Sequence, residues 1–574
     1  MLNNNEIKFT DDQEQAVKKL IEFINSPFKK TFGLYGFSGT GKTTIVTELV
    51  SYLFKQKQIQ SVAFTAPTNK AVNVMKSKFE LFLREIYYQN TNKTVSDNYQ
   101  FDNIVWELNN YGITIDFITT HKLLKFETDF DSNGKLIFKK NKATDIWKYN
   151  IIIIDECSML SGQIVDYIFN DIGNDFRKIK IIFSGDPAQL NPVNEKNSII
   201  FSKKLDDFPF DVYLLCLGFA DINVNDVFMK LKIEACRKRY TSLMENIIGM
   251  DYFIMRQVVR TKSTNIIGLC SIMRDWTLGN SENKNIKKYI DNRDCYAYKY
   301  QSNTSKTSTE WFKKFLESCI DFQDSIILAW TNKQCHDYNN VARKELFGTN
   351  NLEQFKVGDI LILNDYYSIK GSKLDESKFY TSEQIKVVNI EIINKRIEKF
   401  PACLDSKSQK LEHSNVYEQL YKKLIDKIAK KTNTEYKCWK LKAKRFSSTQ
   451  PDNVSELYVI HEDDRKKYED DIEYISKGIR KLRITLVMKY KEKTQTIENN
   501  VVKQLWKVYY SIYIYPFANV NYGYSITCHK AQGSTFCNVF IDMEDITKNQ
   551  NENEMKKCLY TAISRTANKL FLLI

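Results

Sequence analysis

The residues Gly36-Phe37-Ser38-Gly39-Thr40-Gly41-Lys42-Thr43 fit the spacing G-x-x-x-x-G-K-[ST], and the spacing has a chemical purpose. Glycines let backbone N–H groups curl around a β-phosphate, and a following helix adds the partial positive charge of its N-terminus. Lys42 is placed to reach β- and γ-phosphates, and the Thr43 hydroxyl to join the shell of a Mg²⁺ ion. Two further clusters complete a hydrolytic set. Asp155-Glu156 ends an apolar run, where Asp155 would hold the metal and Glu156 would orient and deprotonate a water. Gln189, in Ser184-Gly185-Asp186-Pro187-Ala188-Gln189-Leu190, could sense a γ-phosphate or position that water.

The elements that must position these groups are legible around them. Thr31 to Tyr35 is short and apolar enough for a buried strand, and Thr44 to Leu53 reads as a helix with Ile45, Val46, Leu49 and Leu53 on one face. Ser61 to Ala66 is a second buried strand stopped by Pro67, followed by a helix capped by Thr68 or Asn69. Trp147 to Ile154 suits a central parallel strand covered on both faces. Lys180 to Phe183 leads into the Gln189 segment. Upstream, Thr10 or Asp11 would cap a helix through Ala16 to Ile24. Gln13, just inside it, can offer an adenine both a donor and an acceptor or be an ordinary helix residue.

Phe126 to Phe138 alternates around Asp131-Ser132-Asn133-Gly134, a strong hairpin signal that reads as a surface loop or as a tool. In the polar stretch 84–117 a helix is expected around Ile104 to Asn110. The second half has no second phosphate loop but repeats the α/β rhythm. Ser325 to Ala329 is a strand and Gln334 to Phe347 a helix; Phe355 to Leu363 and Gln384 to Ile393 look like strands of a small β unit. Residues 395–510 turn Lys/Glu/Tyr-rich. There Lys437, Trp439, Lys440, Lys442, Lys444 and Arg445 suit either single-stranded nucleic acid or a solvated helix face.

With 574 residues the chain needs three or four domains, and 43% hydrophobic against 27% charged residues describes a globular protein. No apolar run approaches the roughly 20 residues of a membrane span. The start, MLNNNEIKFTDDQ, lacks a signal core, so an intracellular protein is expected. The 12 cysteines are scattered without a C-x-x-C pair beside five histidines, which favours reduced thiols over a zinc site. The net charge of +14 is compatible with a polyanionic partner, and equally with an AT-rich genome.

Taken in order, these stretches resemble superfamily 1 helicases of the RecD/Pif type. Gly36–Thr43 looks like motif I, Asp155-Glu156-Cys157-Ser158-Met159 like motif II and Gly185–Leu190 like motif III. Thr527-Cys528-His529-Lys530-Ala531-Gln532-Gly533-Ser534-Thr535 looks like motif V, and Thr561-Ala562-Ile563-Ser564-Arg565 like motif VI. Gln13, Ala66-Pro67-Thr68, Thr120-His121 and Trp330-Thr331-Asn332-Lys333 are supporting matches. The motif IV region holds two arginines, Arg256 and Arg260; Arg260 puts Ile266 and Arg274 in family spacing. Asn191-Pro192 and Cys157 depart from the usual motif III and motif II wording.

The resemblance implies two RecA-like P-loop domains, parallel sheets with flanking helices, with ATP and Mg²⁺ in the cleft between them. The expected first domain covers 1–120 and 149–250, with a strand-separating hairpin over 121–148 carried by Phe126, Asn133, Gly134 and Phe138. The second covers 251–354 and 520–574, with an SH3-like β unit at 355–519 enlarged by residues 395–507. Lys42, Glu156, Gln189, Arg260 and Arg565 would be catalytic, the two arginines as fingers from the second domain. Gln13, Gly36, Ser38, Gly39, Thr40, Gly41, Lys42, Thr43, Thr44 and Gly533 would line the nucleotide, and Thr43 and Asp155 the metal. Pro67, Thr68, Asn69, His121, Thr331, Asn332, Thr527, His529 and Lys530 would line a DNA strand. The function implied is a DNA helicase moving 5′ to 3′ on single-stranded DNA and working as a monomer. Forks would be its substrate, and replication or single-strand-binding proteins its partners. The alternatives are an RNA helicase and an ATP-binding scaffold or protein-displacing translocase without unwinding.

Overall fold

The computed structural model describes residues 9–94, 101–140, 143–173, 179–219, 227–281, 285–301, 304–320, 324–348, 352–368, 378–400, 414–445 and 454–574. It divides into two compact units. The first comprises residues 1–125, 142–341 and 525–574; the second comprises 126–141 and 342–524.

The first unit contains two parallel sheets of the RecA-like kind. In one, the strand order is Thr114–Thr119, Ser61–Ala66, Ile151–Ile154, Lys180–Gly185, Thr31–Gly36, Tyr252–Met255. Ile151 to Ile154 are at most 1% exposed, because helices cover both faces of this central strand. Helix Lys42–Lys55 buries Ile45, Val46, Leu49 and Leu53 against it, and helix Asn69–Thr91 adds Val72, Met75, Phe79 and Leu83 to the same core. Two boundaries differ from the sequence reading. The run Ile146–Lys148 is a 3-10 turn, so the expected strand from Trp147 begins only at Ile151. Tyr252–Met255, expected in the second domain, pairs in parallel with Gly33–Gly36 and forms the edge of the first sheet, so this sheet extends past residue 250.

The second sheet runs Ser525–Thr527, Ser325–Ala329, Phe536–Asp542, Thr566–Leu573, Cys295–Tyr298, again all parallel. Among the described residues the cysteines are free, and no helix is long and apolar enough to cross a membrane.

The second unit is built on an antiparallel sheet in the order Val454–Ile460, Glu435–Arg445, Gln384–Arg396, Ile360–Leu363, Val520–Tyr522. Glu435–Arg445 is therefore a strand, not a helix face. Trp439, Leu441 and Ala443 pack into one apolar cluster and Tyr436 and Cys438 into another on the opposite face, while Lys437, Lys440, Lys442 and Lys444 stay partly exposed. Trp439 is 3% exposed, stacks on His461 and donates from Nε1 to Glu462, so its ring is no open platform for a base.

Beside the sheet, helices Ser414–Lys431 and Glu462–Lys489 and the helical run through Tyr509 share a core that includes Ile425, Ile475, Ile479, Leu505 and Trp506. The hairpin Phe126–Phe130/Leu136–Lys140 enters that core through Phe130.

Candidate functional site

The phosphate loop joins the end of strand Thr31–Gly36 to helix Lys42–Lys55. Gly41 is the N-cap of that helix in the left-handed region, φ +86°, and provides no side-chain cap. A Cβ there would stand 2.6 Å from Gln13 Nε2, so both the turn and the close approach require glycine. Gln13 is fixed from both ends. Its Oε1 accepts from Thr10 N–H at 3.1 Å within a capping box, and its Nε2 donates to Thr40 O at 3.1 Å. Thr10, not Asp11, is thus the cap, and Gln13 is a 7%-exposed strut between the first helix and the loop.

Lys42 Nζ donates to Gly36 O at 3.0 Å and Phe37 O at 2.9 Å, beneath the loop. Desolvation holds its ammonium below the usual lysine range, against the pull of Asp186, Glu156 and Asp155. Thr43 Oγ1 donates to Asp155 Oδ2 at 2.7 Å, while Ser184 Oγ donates to Asp155 Oδ1 at 2.7 Å. These hard oxygen donors at the end of a buried strand suit a Mg²⁺-sized cation.

Glu156 takes the left-handed conformation, φ +51°, an uncommon geometry for a non-glycine residue. Burial, then the adjacent Asp155, pushes its carboxyl above the usual range, while Arg565, Lys42 and Arg260 act in the opposite sense. A Cβ on Gly533 would stand 3.9 Å from Glu156 Oε1, which brings motif V against motif II. Gln532 Nε2 donates to Gln189 Oε1 at 3.5 Å, so motif V meets motif III as well.

Two arginines converge on one hydroxyl of the loop. Arg260 Nη1 donates to Ser38 Oγ at 2.9 Å and Arg565 Nη2 to the same oxygen at 2.7 Å. Arg565 is 1% exposed. Desolvation, then Arg565, lowers Arg260 to about 10, and burial lowers Arg565 too. Arg256 lies exposed, with its backbone N–H on Asp12, so of the two motif IV candidates Arg260 faces the loop. Three cations held below their ordinary ranges around a glycine-capped helix start form a cradle that a polyphosphate fits.

The sequence reading missed the bracing of this cradle. Tyr560 accepts from Ser38 N–H at 3.1 Å and donates to Asp186 Oδ2 at 2.5 Å. Asp186 also pairs with Arg274 at 3.3 Å, and the Arg274 guanidinium lies 4.2 Å from the centre of the Phe37 ring. Arg274 carried a spacing signal; Tyr560, one residue before motif VI, carried none.

The residues assigned to a nucleic-acid strand sit elsewhere in the same unit, at the C-terminal ends of an edge strand and its neighbour in each sheet. Ala66 pairs with Thr119, so Pro67, Thr68 and Asn69 neighbour His121; Ala329 pairs with Thr527, so Thr331 and Asn332 neighbour His529 and Lys530. Each turn is capped by a threonine: Thr68, Thr119, Thr331 and Thr527 accept from the N–H three residues on. Asp545 accepts the Trp330 and Thr331 N–H groups at 2.8 and 2.9 Å. Desolvation lowers the His121 and His529 imidazoles from their ordinary value, with Glu554, 3.4 Å from His529 Nε2, acting in the opposite sense.

In the second unit, the hairpin tip is seated on the helix Glu462–Lys489 and the helical run through Trp506 and Tyr510. Gly134, φ +84°, lies so close to Trp506 that a Cβ would fall 2.5 Å from its ring. Tyr510 OH donates to Gly134 O at 3.0 Å, Arg480 Nε to Asn133 O at 3.2 Å, and Lys503 pairs with Asp129 at 2.6 Å. Phe130 and Tyr510 ring centres are 4.7 Å apart. Phe138 is 55% exposed and Phe126 partly so.

Two family models match the chain, an AAA domain over residues 13–195 and a UvrD-like helicase C-terminal domain over residues 522–573. An uncharacterized protein of Acanthamoeba polyphaga mimivirus is 29% identical over 575 residues, covering 99% of this chain and 100% of its own length. The RecBCD enzyme subunit RecD of Buchnera aphidicola is 25% identical over 563 residues, covering 97% of this chain and 71% of its own. Among solved structures, Pif1 helicase from Candida albicans aligns over 99% of this chain and 95% of its own, at 14% identity and TM-score 0.41. Bacteroides Pif1 bound to single-stranded DNA aligns over 99% and 92%, at 14% identity and TM-score 0.42.

Proposed function

We propose that this chain, a superfamily 1 helicase of the RecD/Pif type, translocates 5′ to 3′ along single-stranded DNA and unwinds duplex DNA at forks by hydrolysing ATP. The observation that carries the reading is the convergence of Arg260 and Arg565 on the Ser38 hydroxyl of the phosphate loop. Helicase chemistry needs a nucleotide site whose completion is linked to movement, and here motif I is met by groups from motifs IV and VI while motif V meets motifs II and III.

In this reading Lys42 and the loop amides hold the β- and γ-phosphates, and Arg260 and Arg565 exchange Ser38 for γ-phosphate oxygens as charge spreads over them. Glu156 Oε accepts the proton of the attacking water, and Gln189 orients that water. Thr43 and Asp155 would hold Mg²⁺, which when bound neutralises charge on the phosphate oxygens. Tyr560, tied to both Ser38 and Asp186, makes the same loop sensitive to the state of motif III.

The threonine-capped turns at Thr68, Thr119, Thr331 and Thr527 support a grip on a strand through phosphate and sugar. His121 and His529 would add hydrogen bonds or stacking there. The choice of DNA and the 5′-to-3′ direction rest on the family resemblance. The Asn133-Gly134 hairpin is the strand-separating pin in this reading, and its seat on Trp506 and Tyr510 supplies the stiffness a wedge needs.

The test is ATP hydrolysis with and without single-stranded DNA. The account expects strong stimulation by DNA and its loss, by at least about 10²-fold, in Lys42→Ala. Hydrolysis retained in that variant would sink the site assignment.

A further inference from the structure

Positive charge is not spread evenly over this chain. Residues 395–507 hold 27 Lys and Arg against 17 Asp and Glu, a net +10 of the chain's +14. Within the long helix Glu462–Lys489 the signs separate. From Glu462 to Glu473 there are seven acidic and three basic residues; from Tyr474 to Lys489 there are five basic residues and no acid, and Lys491 and Lys493, with Glu492 between them, follow the helix. A helix macrodipole favours cations only in the last turn, so it does not account for a basic stretch this long.

The basic half is the half that carries the hairpin tip. Arg480 donates to Asn133 O, and its guanidinium lies 6.0 Å from the centre of the Trp506 ring that backs Gly134. On the exposed side of the same helix, Lys477, Lys481 and Lys489 recur at helical spacing, with Ile484 and Met488 49% and 72% exposed between them. From Lys477 to Lys489 the helix rises ~18 Å at 1.5 Å per residue, about the axial length of five base pairs. Lys477 pairs with Glu473 at 2.7 Å, but on a surface where such a pair is weak and exchanges readily for a phosphate.

We propose that this stripe, Lys477, Lys481 and Lys489 continued by Lys491 and Lys493, binds the phosphate backbone of duplex DNA beside the hairpin tip. The inference rests on the helicase reading and extends it. The enlarged insertion both braces the hairpin and holds the unopened duplex next to it, through a sequence-independent, salt-sensitive contact.

The experiment compares the full chain with the triple variant Lys477→Glu/Lys481→Glu/Lys489→Glu on three probes: a forked DNA, blunt duplex DNA and single-stranded oligonucleotide. Affinities are read over a salt series. A second triple variant, Lys422→Glu/Lys423→Glu/Lys427→Glu on the exposed side of the neighbouring helix, carries the same charge change. The expected result is a loss of about tenfold or more on fork and duplex, with a shallower salt dependence by about 0.9 per lost contact. Single-strand affinity and single-strand-stimulated ATP hydrolysis stay unchanged, and the control variant keeps its fork affinity. Unchanged fork binding, an equal loss on single strands, or the same loss in the control would each overturn the proposal. Absence of DNA-stimulated hydrolysis in the unmodified chain would instead overturn the helicase reading, while the duplex-binding comparison could still be read.

Discussion

Arg565 Nη2 and Ser38 Oγ lie 2.7 Å apart across 527 positions of sequence. A guanidinium 1% exposed spends its donors on a loop hydroxyl and on the Thr561 and Ser534 carbonyls. The contact makes the last motif of the chain a direct part of the first.

Arg565→Lys should therefore be far from conservative. A lysine keeps the charge but loses the planar fork that reaches Ser38 and Ser534 together. DNA-stimulated turnover is expected to fall by about 10²-fold or more, with nucleotide affinity changed much less, as for a group acting on transition-state charge. Turnover kinetics alongside binding of a fluorescent nucleotide measure the two separately. A parallel loss of both would assign Arg565 to ground-state binding.

Glu156→Gln should remove turnover by about 10²- to 10⁴-fold while leaving nucleotide binding in place. In the unmodified protein Glu156 must be ionised to accept a proton, and its carboxyl is held above the usual range by burial and by Asp155. As pH falls through that raised value the neutral acid takes over. The acid limb of the kcat profile should therefore lie above the ordinary carboxylate range. A limb at ordinary carboxylate values would show that Glu156 is not the titrating base.

The hairpin predicts a split between two activities. Shortening Asp131–Gly134, or Tyr510→Phe to remove the 3.0 Å bond to Gly134 O, should impair unwinding more than translocation on single strands. Breaking the 2.6 Å Lys503–Asp129 pair by Lys503→Ala should do the same, since it leaves a 12%-exposed carboxylate without its cation. Stopped-flow unwinding and single-strand translocation assays report the two activities. Equal loss in both would remove the hairpin from strand separation.

What the sequence made legible was whatever is contiguous. Gly36–Thr43, the isoleucine strand and the Asn133-Gly134 turn announce themselves because their chemistry lies within a few residues. The Lys437–Arg445 strand was hidden because its buried side chains change face, Tyr436 and Cys438 on one and Trp439, Leu441 and Ala443 on the other, and lysines fill the positions between. Tyr560 and Asp186 meet across 374 positions, and Tyr510 and Gly134 across 376; no local pattern encodes such pairs. The Arg256 or Arg260 ambiguity had the same origin, since both stand in one short segment and only Arg260 reaches Ser38. Gln13 was read for its amide, but its packing as a strut under Thr40 depended on a turn that spacing alone does not fix.

The central claim is tested most directly by unwinding of tailed duplexes, in DNA and in RNA, with 5′ or 3′ single-stranded tails, in the presence of ATP and Mg²⁺. The account predicts unwinding of the 5′-tailed DNA, none of the 3′-tailed DNA, and loss of the activity in Lys42→Ala. Unwinding only from 3′ tails, or of RNA in place of DNA, would contradict it.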